Sequence, residues 1–311
     1  MNDAVSTVWC SRASALFAFL GHYGVGIFIT LSCYGLACAS TGGRAQTGMA
    51  FLKARYLKLM PTIGLCIAIW LLLQLRTHGL SDGPYWSAVL LEVVLLCVGV
   101  YTLVPGLELP AVGPWWFIPF ILQFYLLWSL AGARLMRATT PALLALAALA
   151  LALVPLLGEP LLRSFQINLL ETPVGHVPDI ALGILLTRFK PARFGVWLLP
   201  LGLLLLLSNL FQVLWPLGSV AATAVVLIAF DRFREPFSRM SVLAWIGALS
   251  LPIFMLNGFI RRPFLTRATA SDLPGADILY ALAAVLCSIL LAALLAYLVR
   301  ALGATRPSAL A

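Results

Sequence analysis

Lys53, Arg55 and Lys58 stand together in FLKARYLKLMP, residues 51–61, just ahead of an apolar run. Arg55 and Lys58 are three apart, which on a helix puts them on one face. A guanidinium beside an ammonium can clamp a phosphate or pyrophosphate such as that of coenzyme A. The same cluster also fits a cytoplasmic stop-transfer signal whose long side chains snorkel to headgroups. His176 and Asp179 in VGHVPDIALGILL are likewise three apart and open a helix. A carboxylate there can orient an imidazole into a base dyad, or it can simply cap the helix. Glu92 falls inside an apolar segment, where a carboxylate is expensive enough to imply a role unless it lies near a helix end. His78, in the polar stretch RTHGLSDG, reads as solvent-facing, and Arg261 with Arg262 as a headgroup anchor or the lining of a tunnel.

The elements that must position these groups are apolar helices. Of the 311 residues 62% are hydrophobic and only 10% charged, with a mean hydropathy of +1.02. Soluble chains are far less apolar and far more charged, so the expected fold class is all-α, a polytopic transmembrane helical bundle formed by residues 1–311 as a single domain. Apolar segments fall at roughly 14–38, 60–75, 87–105, 115–133, 141–157, 176–188, 195–209, 213–230, 242–259 and 277–300. Trp116 to Leu130 is the central one. Its Gln123 needs a partner, because lipid offers none. The 60–75, 176–188 and 195–209 runs are short for a span of ~20 residues, which predicts interruption or partial re-entry.

The net charge of +9 does not point to nucleic acid, because the arginines sit between apolar runs, as positive-inside bias and anionic lipids produce. Alternate loops hold twelve against eight Lys and Arg, a weak asymmetry. It resolves if the Arg44–Lys58 loop and the later basic loops share one side, which requires a miscounted or re-entrant piece between residues 60 and 115. The six cysteines show no paired spacing, and neither a zinc pattern nor a phosphate-binding loop is present. No metal and no bound cofactor are expected.

Four stretches, in order, resemble the acyltransferase-3 family of integral membrane O-acyltransferases. FLKARYLKLMP is similar to F-x-R-R-x-x-x-R-L-x-P. Gly24–Leu36, GVGIFITLSCYGL, is similar to GVDLFFVLSGFLI through Gly24, Val25, Phe28, Leu31 and Ser32. Trp116, Gln123, Phe124, Tyr125, Leu126 and Leu127 match W-S-L-x-x-E-x-Q-F-Y-L-L. Ile246–Asn257 resembles L-G-x-x-S-Y-S-L-Y-L-W-H through Gly247, Ser250 and Phe254. The departures are Gly26 for an aspartate, Cys33 for a glycine, Ile121 for a carboxylate and Asn257 for a histidine.

The resemblance implies transfer of an acetyl or other short acyl group from acyl-CoA, the co-substrate, to a hydroxyl of a sugar or cell-surface glycan. Arg55, Lys58, Lys53 and Arg12 would hold the donor. Trp116, Gln123, Tyr125, Ser32, Asn257, His176 and Asp179 would line the substrate cavity. The family's histidine-bearing first helix is expected to be missing, since GVGIF begins at Gly24. His22 is then cast as the general base that deprotonates the acceptor. Ten helical residues separate it from Arg12 by ~15 Å, so the two are not a direct pair. The expected setting is the cytoplasmic membrane of a bacterium, crossed many times, with membrane lipids as the other partners. A catalytically degenerate family member and a carrier or flippase for a lipid-linked sugar are the competing readings, the second favoured by proline-broken helices and disfavoured by the lack of two similar halves.

Overall fold

A computed structural model describes residues 23–42, 48–79, 81–105, 107, 113–189, 197–211, 214–232, 241–271 and 275–302. Among the described residues the apolar segments are largely helix, and no strand occurs. The helices are α1 (Gly24–Thr41), α2 (Gly48–His78), α3 (Gly83–Val98), α4 (Phe117–Arg137), α5 (Thr140–Phe165), α6 (Val177–Leu185), α7 (Leu198–Leu210), α8 (Trp215–Arg232), α9 (Ser241–Ala248), α10 (Ser250–Thr269) and α11 (Ala276–Ala301). Five of them (α1, α2, α4, α5 and α11) are long and apolar enough to cross a bilayer. A sixth crossing is available to α9 and α10, bent by 66° at their junction.

The segment expected at 60–75 is corrected. Its helix has 31 residues and runs straight through Pro61 and the three cations. At ~1.5 Å per residue it is ~46 Å long, well beyond the ~30 Å hydrocarbon layer. The cations that read as a loop are the extension of a spanning helix.

α4 stands between two cores. On one side Trp115 and Ile118 join Ile63, Trp70, Met255, Leu256 and Ile260. On the other, Phe117, Phe120, Phe124 and Trp128 join Ile29, Cys33, Phe51, Ile180 and Ile184. Trp70 meets Trp115 at 5.5 Å between ring centroids, and Phe51 meets Tyr125 at 5.8 Å. The late part of α2 therefore lies beside the start of α4 and its early part beside the middle, so the two run antiparallel. The last turn of α4 carries Arg134 and Arg137 and points the same way as the cationic start of α2.

The piece between them does not cross. Asp82 caps α3 by accepting from the Tyr85 amide at 3.3 Å, and the Tyr85 hydroxyl donates to Gln74 at 2.8 Å, tying the start of α3 to the end of α2. Gly99, in the left-handed region at φ +91°, stops the helix. The end of α3 rests on α4, where Gln123 donates to the Gly99 carbonyl at 2.8 Å and to the Thr102 hydroxyl at 3.0 Å. Gln123 is only six residues, or ~9 Å, into α4. α3 thus enters from the end of the bundle opposite the cations, and the chain is back at that end by Gly113, where a 3-10 turn leads into α4. This geometry fits a re-entrant piece, one of the two arrangements that reconcile the charge count.

The return after α5 is also broken. α5 is capped by Thr139 and ends at Gln166, which takes a left-handed φ of 54°. A 3-10 turn, Leu169–Glu171, follows, and then the nine-residue α6. Arg188 donates to the Met136 carbonyl at 3.1 Å, bringing the chain back to the cationic end of α4. Lys53, Arg55, Lys58, Arg134, Arg137 and Arg188 are thereby gathered at one end. Arg76 and Arg163 close the opposite ends of α2 and α5. Broken backbone in a bilayer is tolerated where protein or water covers it.

Candidate functional site

Two clusters attach to α4, five residues apart along it. The first is built on Tyr125. The Arg55 guanidinium lies 5.7 Å from the Tyr125 ring centre and 5.4 Å from that of Phe51, four residues back on its own helix. The two rings meet edge to face. Tyr125 is twelve residues short of Arg137, ~18 Å along the helix, so Arg55 meets α4 nearer its middle than its basic last turn. Cation–π stacking compensates the charge there. Among the described residues no carboxylate pairs with it. Lys53 and Lys58 are exposed on either side of it, and Arg55 is half-buried.

The second cluster is built on Asp179, 2% exposed. His176 Nδ1 lies 2.8 Å from Asp179 Oδ2. The Ser219 hydroxyl of α8 donates to the same carboxylate at 3.2 Å and 3.4 Å. Thr30 of α1 donates to the Asp179 carbonyl at 3.2 Å, and the Cys33 thiol to the Ile180 carbonyl at 3.2 Å. The other ring nitrogen, His176 Nε2, is 3.0 Å from the Leu170 carbonyl of the 3-10 turn. The ring itself stands edge-on against Phe120 at 5.2 Å. His176 is the N-cap residue of α6 and Asp179 lies in its first turn. The aspartate therefore spends its oxygens on the imidazole and the serine, in addition to favouring the positive end of the helix dipole.

Glycines open the space for this. A Cβ at Gly26 would run into Ser219 Oγ and lie 3.1 Å from Asp179 Oδ1. That is the position at which the resembled motif carries its aspartate, and here the volume is filled by the Ser219 hydroxyl of α8, with the α6 carboxylate beside it. A Cβ at Gly183 would strike the Thr30 carbonyl at 2.6 Å, and one at Gly175 the Leu169 carbonyl at 2.5 Å. Gly183 lets α6 lie against α1, and Gly175 lets the chain fold back so that His176 reaches Leu170.

The expected residues divide as follows. His176 with Asp179 form one cluster and Arg55 with Tyr125 the other, with Lys53 and Lys58 beside it. Gln123 is bonded to the end of α3. Trp116 is half-buried against Phe117 and Phe120. Ser32 is half-buried on α1 next to Cys33, and Asn257 half-buried on α10 two residues past Met255. His22 and Arg12 lie outside the described residues. Glu92 is buried on the re-entrant α3. The stacking of His78 on Tyr85, at 3.9 Å, occurs where α2 hands over to α3. Sequence reasoning missed Ser219, Phe120 and the Leu170 carbonyl. It also missed Trp115, wholly buried and donating to the Met255 carbonyl at 3.0 Å.

The described residues hold no group of three or more His, Cys, Asp or Glu that could bind a metal. The sequence model of the family described as an acyltransferase domain matches residues 4–297. No curated protein and no solved structure matches the chain.

Proposed function

The chain belongs to the acyltransferase-3 family, and from that premise we propose that it moves an acetyl or other short acyl group from acyl-CoA to a hydroxyl of a sugar or cell-surface glycan. The observation that carries the proposal is the setting of Arg55. Arg55 lies among cations at one end of the bundle, half-buried and beside no carboxylate among the described residues. It is held by two aromatic faces, so its N–H donors are left for an anion. Lys53, Lys58, Arg134, Arg137 and Arg188 surround the approach to it. The anionic part of coenzyme A fits that need: phosphates on a guanidinium that can bind them in bidentate fashion, with the thioester arm extending down α4. The positive-inside rule makes the cationic end the cytoplasmic one, which is where acyl-CoA is found. The membrane would be the cytoplasmic membrane of a bacterium.

The test uses the full chain in lipid nanodiscs. Wild-type protein should retain radiolabelled acetyl-CoA, and membrane vesicles containing it should incorporate the label into base-labile esters. Charge reversal with Arg55→Glu and Lys58→Glu should abolish both. Unchanged retention in the double variant would end the proposal, as would a solute that crosses vesicles containing the protein while no ester forms.

A further inference from the structure

We propose that His176 is the catalytic base of this acyl transfer, with Asp179 and Ser219 as its positioning residues; the inference rests on the acyltransferase reading above. A buried imidazole and carboxylate in a membrane bundle are costly, and here they share one hydrogen bond of 2.8 Å. Ser219 fixes the carboxylate from α8, while the missing side chain of Gly26 leaves it room. Asp179 can then only present an acceptor to Nδ1, which sets the ring so that Nε2 faces away from it. A carboxylate that orients an imidazole in this way is what an activating base requires.

What Nε2 meets is informative. The Leu170 carbonyl at 3.0 Å is an acceptor only. It marks the direction in which Nε2 meets an oxygen. The partner at Nε2 is a backbone oxygen on a short 3-10 turn and not an ion. The Leu170 amide is held separately by the Asn168 side chain at 3.1 Å. An acceptor hydroxyl entering at Nε2 replaces one oxygen by another at the same distance.

The step balances without an added reagent. With Nδ1–H held by Asp179, the Nε2 lone pair takes the hydroxyl proton as the oxygen attacks the thioester carbonyl. A C–O bond forms, the C–S bond breaks, and the departing thiolate takes the proton back from Nε2. Products are the ester and free coenzyme A. The two clusters are ordered for this: going down α4 from its cationic end, Tyr125 with Arg55 comes first and Phe120 with His176 lies ~7.5 Å deeper. The elements around the ring bring few titratable groups: Asp179 on α6, Cys33 on α1 and Glu171 on the turn. α4 faces it with Phe120, and α8 with the Ser219 hydroxyl.

The experiment follows ester labelling from radiolabelled acetyl-CoA in membrane vesicles holding equal amounts of wild type, His176→Gln or Asp179→Asn, together with acetyl-CoA retention in nanodiscs. His176→Gln should lower the transfer rate by at least about 100-fold, the low end of what general-base catalysis supplies, while retention of acetyl-CoA by Arg55 persists. Asp179→Asn keeps the shape of the side chain but removes the anion beside the imidazolium. It should lower the rate and move the acid limb of its pH profile to lower pH. A purely structural pair would reduce folded protein and leave that limb in place, which overturns the assignment. So does transfer at the wild-type rate in His176→Gln. Wild-type protein that retains acetyl-CoA and forms no ester would instead fail the acyltransferase reading on which this one rests.

Discussion

The two clusters on α4 contain similar amounts of charge and treat it in opposite ways. Around Arg55 the charge is cationic, partly exposed and held only by ring faces. Around Asp179 each side-chain oxygen and nitrogen of the pair has a partner, and helices α1, α6 and α8 are drawn together by the bonds of this network. The first is arranged to receive something and the second to hold a geometry. A bilayer makes both arrangements expensive, and each meets the cost differently: aromatic quadrupoles for the arginine, a closed hydrogen-bond network for the aspartate.

The largest way to sharpen the contrast is to remove one charge from each. Asp179→Ala leaves a buried imidazole without its partner and should cost about 3–5 kcal/mol, read as loss of monodisperse protein in detergent. Arg55→Ala should leave the yield and melting temperature of the protein near wild type and abolish acetyl-CoA retention. If Asp179→Ala were as stable as wild type, the network would not hold the helices and the contrast would break. Next comes Gly183→Ala, whose Cβ meets backbone at 2.6 Å; overpacking of that kind costs about 1–3 kcal/mol. Gly35→Ala on the same α1–α6 region serves as its control, because nothing lies within 4 Å of the added atom. Tyr125→Leu removes one of the two faces holding Arg55. A loss of about 0.5–2 kcal/mol in acetyl-CoA binding is expected, with little change in melting. The smallest effect should come from Arg163→Ala, which breaks the exposed Glu159–Arg163 pair at the far end of α5. Such pairs contribute about 0.5 kcal/mol or less, and a large change there would show that surface charge matters more than either cluster.

How much of this was legible before folding depends on the distance over which each interaction acts. The apolar segments were readable from composition because lipid imposes length and hydropathy on every one of them. The short α3 was only half readable: the weak charge asymmetry pointed to a miscounted or a re-entrant piece between residues 60 and 115 without choosing between them. The pairing of His176 with Asp179 was readable from a spacing of three. Ser219 was not, because it arrives from another helix forty residues on. Nor was the Leu170 carbonyl, a backbone atom with no letter of its own. The length of α2 was misjudged for a different reason: cations end an apolar run in the sequence, but they do not end a helix that simply continues out of the hydrocarbon.

Gly26 carries a lesson for reading divergent members of a family. A chain scored letter by letter has lost an acid at that position, and would be set aside as damaged. In space an acid stands beside that position, delivered by a different helix, and a serine from a third helix takes up the gap the glycine leaves. Variants that restore the lost letter would set two carboxylates against one another, so the repair suggested by alignment is the change that would harm this protein.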